Sequence, residues 1–279
     1  VLTGAAVCDV KITGNRAYKV SYTHRGGPRK VQVRREIILS GGAINSPQIL
    51  LRSGIGPEDH LQDAGIKTQV KLAGVGRNLQ DHPTMVLQFK SRKSFEMHRL
   101  NNPLKKLGVG LEWLSRRKGI ATSHIWEAGG LVRSHDNAAR PDLQYHFGPT
   151  GFEEVGKRFR VAQGFSFHID LLYPESAGRV ELDPKNHFGK PMILFNYMAA
   201  AADMTGMMNG VKKARDITNS AAFKDLNGGE TGPMAQARTD DEIKAVIADE
   251  CATDYHPSCT CRMGYDDCLL YTSPSPRDH

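Results

Sequence analysis

The chain has 279 residues, 39% hydrophobic and 24% charged, a composition that allows a sizeable core and argues against disorder. Its apolar runs are too short to span a bilayer, and neither a transmembrane segment nor a signal peptide is predicted. The formal net charge is +7. Because the cations are spread along the chain without a nucleic-acid motif, this charge alone does not predict binding to nucleic acid or to an anionic surface.

The first 40 residues are predicted to form β-structure. Three runs alternate apolar and polar residues, namely Cys8–Ile12, Ala17–Tyr22 and Lys30–Leu39. Glycine-rich turns separate these runs, which is the usual signal of hairpins.

A glycine pair, Gly41 and Gly42, separates the third run from a predicted short helix. Ser46 is predicted as its N-cap, Pro47 as its first residue, and Gly54 as its end. Because glycines let another molecule approach the backbone closely, the junction is a candidate cofactor site. Many strand-to-helix junctions of this kind bind nothing, so the pattern alone leaves both interpretations open.

The composition changes near residue 84, where we expect a domain boundary. The other predicted elements are a helix over Pro57–Ala64, strands over Met85–Phe89, Leu143–Phe147, Gly164–Leu172 and Arg179–Leu182, and a helix over Gly210–Ser220. A further helix is predicted to begin at a capping box formed by Thr239 and Glu242. These elements predict a mixed α/β (α+β) fold.

Three segments, in the same order as in the family, resemble motifs of the glucose-methanol-choline (GMC) flavin oxidoreductases. They are Gly42–Gly56, Gly74–His82 and Tyr255–Gly264. The Ser-Cys-Thr-Cys sequence in the last block and the segment from Trp113 to Gly130 are similar to choline-oxidising members of that family. The resemblance covers about residues 1–264.

The resemblance implies a domain organisation. Residues 1–84 are expected to be part of a Rossmann-like FAD-binding domain, and residues 85–200 an antiparallel-sheet substrate domain with helices. Residues 201–264 would contribute helices and the active-site block. Residues 265–279 do not match the family, and their Ser-Pro-rich composition predicts a disordered or artefactual tail. Because the family's glycine-rich FAD loop is not found, the chain is interpreted as an internal fragment of about half the usual protein.

The resemblance also implies an activity, the FAD-dependent oxidation of choline to betaine aldehyde. FAD would accept the hydride, and His256 of the active-site block would be the base that takes the hydroxyl proton. Histidine suits this role because its ordinary pKa lies close to neutral pH. The alternative for any single histidine is a hydrogen-bonded structural role.

The predicted substrate residues are Glu127, Trp126 and Tyr173. A quaternary ammonium group has no N–H to donate, so a carboxylate and aromatic faces are the groups that can hold it. In the choline-oxidising members, the carboxylate matching Glu127 contacts the trimethylammonium group. Tyr145 and Phe147 could complete an aromatic cage, whereas a structural salt bridge is the alternative for Glu127.

The predicted cofactor residues are Val7, Ser40, Gly41, Asn78 and Asp81, all carried over from the resemblance. Val7 would present its backbone to the adenine, and Ser40 and Gly41 lie at the predicted strand end. Asn78 and Asp81 lie in the loop that resembles the family's flavin-adjacent motif. Hydrogen bonding within that loop is an equally good explanation for the last two.

Two other functions remain open. The first is a GMC dehydrogenase or oxidase that acts on another alcohol, such as a sugar. The second is a non-redox zinc-binding module that uses His256, Cys259 and Cys261, although Cys-x-Cys is not the usual zinc spacing. Inert buried thiols are the favoured interpretation, and no metal is predicted.

The five cysteines do not resemble a disulfide framework, which favours a reducing, intracellular compartment. A mitochondrial location is implied only by the resemblance. The electron acceptor is not predicted.

Overall fold

The computed structural model describes residues 1–14, 16–155 and 158–264. The predicted tail, residues 265–279, lies outside the described residues. The α-helices are α1 Gly42–Arg52, α2 Glu58–Asp63, α3 Pro103–Arg116, α4 Ala201–Thr218 and α5 Asp240–Glu250. Short 3₁₀ turns lie at Glu96–Asn101, Ile120–Thr122, Ala221–Phe223 and Pro233–Gln236. In the part of the chain described, no helix is long and apolar enough to cross a membrane.

The strands are β1 Ala5–Thr13, β2 Arg16–His24, β3 Gly27–Gln32, β4 Ile55–Gly56, β5 Val70–Lys71, β6 Arg77–Leu79, β7 Pro83–Ser91, β8 Ala128–Val132, β9 Leu143–Gly148, β10 Gly151–Val155, β11 Arg158–Ala162, β12 Gly164–Leu171, β13 Gly178–Glu181, β14 Met192–Leu194, β15 Asn227–Thr231 and β16 Ala252–Thr253. The predicted mixed α/β class with antiparallel sheets is confirmed.

The chain divides into two compact units. Among the described residues, unit 1 contains Val1–Asp81, Ser176–Asn196 and residues 255–264, and unit 2 contains His82–Glu175 and Tyr197–Asp254. The organisation expected from the resemblance made residues 85–200 one substrate domain. In the structure, Ser176–Asn196 belongs to unit 1 instead. The functions expected for the separate parts of the chain stay predictions.

Unit 1 contains two three-stranded antiparallel sheets. The first has the order β1-β2-β3, and the second has the order β14-β13-β6. The third predicted strand was expected to reach Leu39, but β3 ends at Gln32. The charged run Arg34-Arg35-Glu36 interrupts the alternation there. A small core forms around α1 and α2 from Leu50, Leu51, Leu61, Val75 and Leu182.

Helix α1 starts earlier than predicted. Its N-cap is Gly41 rather than Ser46, and Pro47 lies inside the helix rather than at its first position. Ser46 accepts a hydrogen bond from the backbone N–H of Gly41 at 2.9 Å, so its hydroxyl stabilises the helix start from one turn within. The predicted end is confirmed, because the helix finishes just before Gly54.

Unit 2 is built on one antiparallel sheet with the order β15-β7-β12-β9-β8, and β16 also pairs with β7. One face of this sheet is apolar and packs against α4, and α5 packs against α4 to complete the larger core. The other face carries polar side chains from β9 and β12. Helix α4 begins at Ala201, nine residues before the predicted start, because Met207, Met208 and Val211 bury a continuous face. The capping box at α5 is confirmed.

Candidate active site

The segment around His256 is held in unit 1 through its backbone. The His256 N–H donates to the carboxylate of Asp81 at 2.9 Å, and Asp81 is only 3% exposed. Ser258 and Gln80 exchange two backbone hydrogen bonds, of 2.8 and 3.2 Å. The structure therefore brings together two of the motifs, at His256 and at Asp81, while the His256 side chain stays exposed.

The same segment is tied to helix α1 at Thr260. Pro47 has no N–H, so it cannot bond the carbonyl of Ala43 one turn earlier in the helix. The Thr260 hydroxyl donates to this Ala43 carbonyl at 2.6 Å, and Thr260 is 1% exposed. Pro47 of the first motif therefore leaves the Ala43 carbonyl without a donor inside the helix, and Thr260 of the third motif supplies that donor.

Three residues next to these contacts have left-handed backbone conformations. Asn78 has φ of 57°, Tyr255 of 62° and Cys259 of 70°. Asparagine adopts this region more readily than the other two, for which it is uncommon. The backbone on both sides of His256 is therefore fixed in a conformation that costs energy and is maintained by the hydrogen bonds around it.

The cysteines near His256 do not form a metal site in the described residues. Among the described residues, two groups of three side chains have potential metal-binding atoms within 4.8 Å of one another. Neither group contains a cysteine. Burial raises the pKa of the Cys261 thiol to about 11, an effect that the neighbouring Thr260 side chain opposes in part. A thiol with this pKa stays protonated at neutral pH, which is typical of an inert buried cysteine. In the part of the chain described, Cys259 and Cys261 therefore give the zinc-module interpretation no support.

The residues predicted to bind the cofactor all lie in unit 1. Val7 lies in β1 beside a cavity of about 940 Å³. The Arg52 side chain crosses this region, donating from Nε to the Cys8 carbonyl at 2.8 Å and from Nη2 to the Val7 carbonyl at 3.3 Å. Arg52 and Lys190 are among the lining residues, and no described acidic residue is. The cavity is therefore electropositive.

Ser40 and Gly41 are exposed at the start of α1. A β-carbon on Gly41 would lie 3.0 Å from the Asn45 β-carbon and 3.2 Å from the Ser46 nitrogen. The tight turn into α1 is therefore enough to explain a glycine at position 41, whether or not a cofactor lies beside it.

In unit 2, Glu127 lies beside a cavity of about 650 Å³. The cavity is lined by Phe95, Glu96, Met97, Gly119, Ile120, Thr122, Ser123, Glu127, Phe147 and Pro149. Among these described residues there are two carboxylates and no basic side chain. The cavity is therefore apolar with a negative charge, a combination that favours a cation bearing apolar groups.

Ser123 orients Glu127. Its hydroxyl donates to the Glu127 carboxylate and also accepts the N–H of Ile125 at 3.0 Å. Ile125 has φ of 76°, an unusual conformation for a β-branched residue. Glu127 in turn donates its backbone N–H to the Phe147 carbonyl at 3.2 Å. This short loop fixes the carboxylate at the edge of the sheet.

Trp126 and Tyr173, the predicted aromatic partners, do not line the Glu127 cavity. The Trp126 ring packs edge-on against His168, with centroids 4.3 Å apart, and lies 5.7 Å from the His146 ring. Tyr173 lies beside a different cavity, where the Arg140 guanidinium stacks 3.8 Å from its ring centroid. The aromatic residues at the Glu127 cavity are instead Phe95 and Phe147.

Sequence reasoning missed a largely buried polar cluster on the polar face of the unit 2 sheet. His146 and His168 are paired residues of β9 and β12, and His146 Nε2 lies 3.0 Å from a carboxylate oxygen of Asp170. Burial, reinforced by His146, lowers the pKa of His168 to about 4. The alternation of polar and apolar residues in both strands was the available signal, since His168 and Asp170 occupy one face and Ile169 the other.

Tyr145 lies on the apolar face and donates its hydroxyl to the Gly210 carbonyl at 2.8 Å. Burial raises the pKa of this phenol above its ordinary value, with a smaller contribution from Asp216. Tyr145 therefore belongs to the core and not to an aromatic cage.

Comparison with known proteins connects this geometry to a family. Two family models, both described as GMC oxidoreductase, match residues 1–84 and 174–268. The chain is 38% identical over 264 residues to an oxygen-dependent choline dehydrogenase of Staphylococcus xylosus, covering 95% of this chain and 47% of that protein. It is also 38% identical over 275 residues to the protein of that name from Chromohalobacter salexigens, covering 98% and 49%.

Solved structures show the same relationship. A pyridoxine 4-oxidase from Mesorbium loti superposes with a TM-score of 0.78 at 25% identity, covering 96% of this chain and 49% of that one. The chain thus spans about half the length of the curated relatives that it matches. Both relatives are bacterial, so they give no support to the mitochondrial location that the resemblance implied. The predicted resemblance is confirmed, and the chain belongs to the GMC oxidoreductase family.

Proposed function

We propose that the complete flavoprotein carrying this chain oxidises choline to betaine aldehyde. The carbon–oxygen double bond forms as the hydroxyl proton passes to the His256 imidazole and the carbon gives up a hydride. FAD, the cofactor that the family membership supports, supplies the hydride acceptor when bound.

The observation that carries this proposal is the charge of the Glu127 cavity. A trimethylammonium group is a cation with an apolar surface, and it needs a negative charge together with apolar or aromatic contacts. Glu127, Glu96, Phe95 and Phe147 supply both in a cavity that has no basic residue among its described lining. Since the chain carries a formal net charge of +7, a local anion is needed to attract a cationic substrate.

The described part of unit 1 offers positive charge where FAD, which carries negative charge, would bind. The cavity beside Val7 has Arg52 and Lys190 in its lining, which suits a cofactor that carries a pyrophosphate. Val7, Ser40, Gly41, Asn78 and Asp81 remain the residues that we propose to hold it. For Asp81 the proposed role is indirect, because its carboxylate accepts the backbone N–H of His256.

We assign the role of base to His256 because its backbone is held by hydrogen bonds and its side chain is exposed. Three neighbouring backbone hydrogen bonds and the Thr260 contact hold the segment, while the His256 side chain is exposed. A base positioned in this way loses little conformational entropy when it engages the hydroxyl.

The test compares choline with its uncharged isostere 3,3-dimethylbutan-1-ol in the complete flavoprotein. Glu127→Gln keeps the shape but removes the charge, so kcat/KM for choline is expected to fall about 10- to 100-fold while that for the isostere hardly changes. Glu36→Gln, at an exposed carboxylate of unit 1, is the matched control and should change neither value. Equal losses for both substrates, or no loss for choline, would exclude Glu127 as the ammonium-binding residue.

A second candidate is the oxidation of another alcohol by the same family chemistry. The observation in its favour is the fold match, at 25% identity, to a pyridoxine 4-oxidase. The same assay decides between them, since a neutral alcohol that outperforms choline in the unmodified protein would favour this candidate.

A further inference from the structure

His60 is a buried histidine of unit 1 whose ring makes a hydrogen bond with the backbone. It lies in helix α2 and is 8% exposed, and its Nε2 accepts the N–H of Leu182 at 3.2 Å. A backbone N–H can only donate, so Nε2 carries no proton and the ring proton lies on Nδ1. The hydrogen bond therefore exists only while the imidazole is uncharged.

The surroundings of His60 favour the uncharged ring. The charged side chains that face it belong to its own helix and to strands β6 and β13, and they are Asp59, Asp63, Arg77 and Glu181. Glu181 is already paired, because its Oε1 lies 2.8 Å from Arg77 Nη1 and 3.0 Å from Arg179 Nε. Burial is the largest influence on the pKa of His60 and lowers it, whereas the carboxylates oppose this effect and Arg77 adds to it. At neutral pH the ring is therefore uncharged and the hydrogen bond is intact.

Strand β13 connects this hydrogen bond to the candidate active site. The Val180 N–H donates to the Gly76 carbonyl at 2.7 Å, and the Gly76 N–H donates to the Thr260 carbonyl at 2.9 Å. The two backbones are in close contact, since a β-carbon on Gly76 would lie 2.3 Å from the Val180 carbonyl oxygen. All of these residues belong to unit 1. A displacement of β13 would therefore reach the segment that carries His256.

We propose that His60 is a positioning residue for residues 256–260, and that its protonation in mild acid loosens this segment. A proton added to Nε2 would place two donors opposite each other, the ring N–H and the Leu182 N–H, so the hydrogen bond is lost. The bond is complete above the ordinary pKa of histidine and is lost as the pH falls through the lower pKa of the buried ring. The proton acts on residues 256–260 only through the backbone of β13.

The test is amide hydrogen exchange in the complete flavoprotein, read by mass spectrometry at pH 7 and pH 5 and corrected for the intrinsic exchange rate at each pH. Protection is expected to fall by about tenfold at pH 5 in peptides that contain Gly76, residues 180–182 and residues 256–260. Strand β1 of the same unit contains no histidine and should keep its protection. The assay uses no substrate, so its outcome does not depend on the proposed function.

Substitutions of His60 separate its acceptor from its charge. His60→Gln keeps a side-chain acceptor but does not titrate, so protection should be full at both pH values. His60→Phe has no acceptor and should show the lower protection already at pH 7. If this variant does not fold, His60→Gln alone decides. His24→Gln, at another histidine of unit 1, is the matched control and should lose protection in acid as the unmodified protein does.

Three results would overturn the proposal. The first is equal protection of these peptides at pH 7 and pH 5 in the unmodified protein. The second is the same acid loss in His60→Gln, which would assign the titration to another group. The third is an acid loss confined to residues 180–182, which would show that β13 does not position the segment that carries His256.

Discussion

The two units hold their candidate functional residues in different ways. In unit 1 the His256 segment is fixed by backbone groups and by one hydroxyl, through contacts between residues far apart in sequence. In unit 2 the cluster around Trp126 is fixed by side chains of paired strands, among them His146, His168 and Asp170. The first arrangement should be sensitive to changes in backbone conformation, and the second to changes in protonation.

The largest expected effect tests whether unit 1 is sensitive to changes in backbone conformation. Gly76 has φ of 76°, and a β-carbon there would lie 2.3 Å from the Val180 carbonyl oxygen. Gly76→Ala should therefore lower the free energy of unfolding by about 3 kcal/mol or more. In unit 2, Gly130→Ala is the matched control, because no atom lies within 4 Å of that position. Urea denaturation of both variants measures the difference, and equal losses would contradict the backbone-controlled account of unit 1.

The Thr260 contact can be isolated with a double-mutant cycle. Thr260→Val leaves the Ala43 carbonyl without its donor, and a loss of about 2 kcal/mol in the free energy of unfolding is expected. Pro47→Ala restores a backbone N–H that can bond the same carbonyl within α1. The Thr260→Val loss should therefore be smaller in the Pro47→Ala background, whereas identical losses in the two backgrounds would show that Pro47 and Thr260 are independent.

The third prediction concerns protonation in unit 2. The pKa of His168 is lowered to about 4 by burial and by His146, so the folded state favours the neutral ring. The unfolded state takes up the proton near the ordinary histidine pKa, so stability is present above that value and is lost as the pH falls toward 4. Between pH 7 and pH 5 the free energy of unfolding should fall by about 1–2 kcal/mol from this group.

His168→Phe should remove that part of the pH dependence, because phenylalanine does not titrate. The measurement is urea denaturation at the two pH values, followed by tryptophan fluorescence in a Trp113→Phe background, so that the signal comes from Trp126, whose ring contacts His168. Thr260→Val, in unit 1, should keep the full pH dependence. A His168→Phe protein with an unchanged slope would rule out His168 as its source.

Local signals explain what the sequence could predict. The capping box of Thr239 and Glu242, the end of α1 at Gly54 and the central strands of unit 2 follow from turn residues and alternation. The start of α1 was predicted wrongly because proline is most common in the first turn of a helix. Here Pro47 lies inside the helix, and the hydrogen bond that it cannot donate is replaced by one from Thr260, 213 residues later in the chain. A contact over this distance cannot be predicted from the local sequence.

The candidate sites show the same limit. Motif resemblance pointed to His256 and Glu127, but it did not reveal that Ser123 holds the carboxylate or that Phe95 and Glu96 line its cavity. It grouped Trp126 and Tyr173 with Glu127 because all three are chemically suited to a cation. Their separation results from the pairing of β9 with β12 and from the stacking of Arg140 on Tyr173, which are tertiary contacts.

The central claim is that His256 takes the hydroxyl proton of the alcohol, and one measurement tests it most directly. In the complete flavoprotein, His256→Ala should lower kcat/KM for choline by about 10²- to 10⁴-fold while the visible flavin absorbance per protein stays the same. Loss of flavin would instead identify His256 as a cofactor residue. A kcat/KM that remains unchanged at full flavin content would contradict the account.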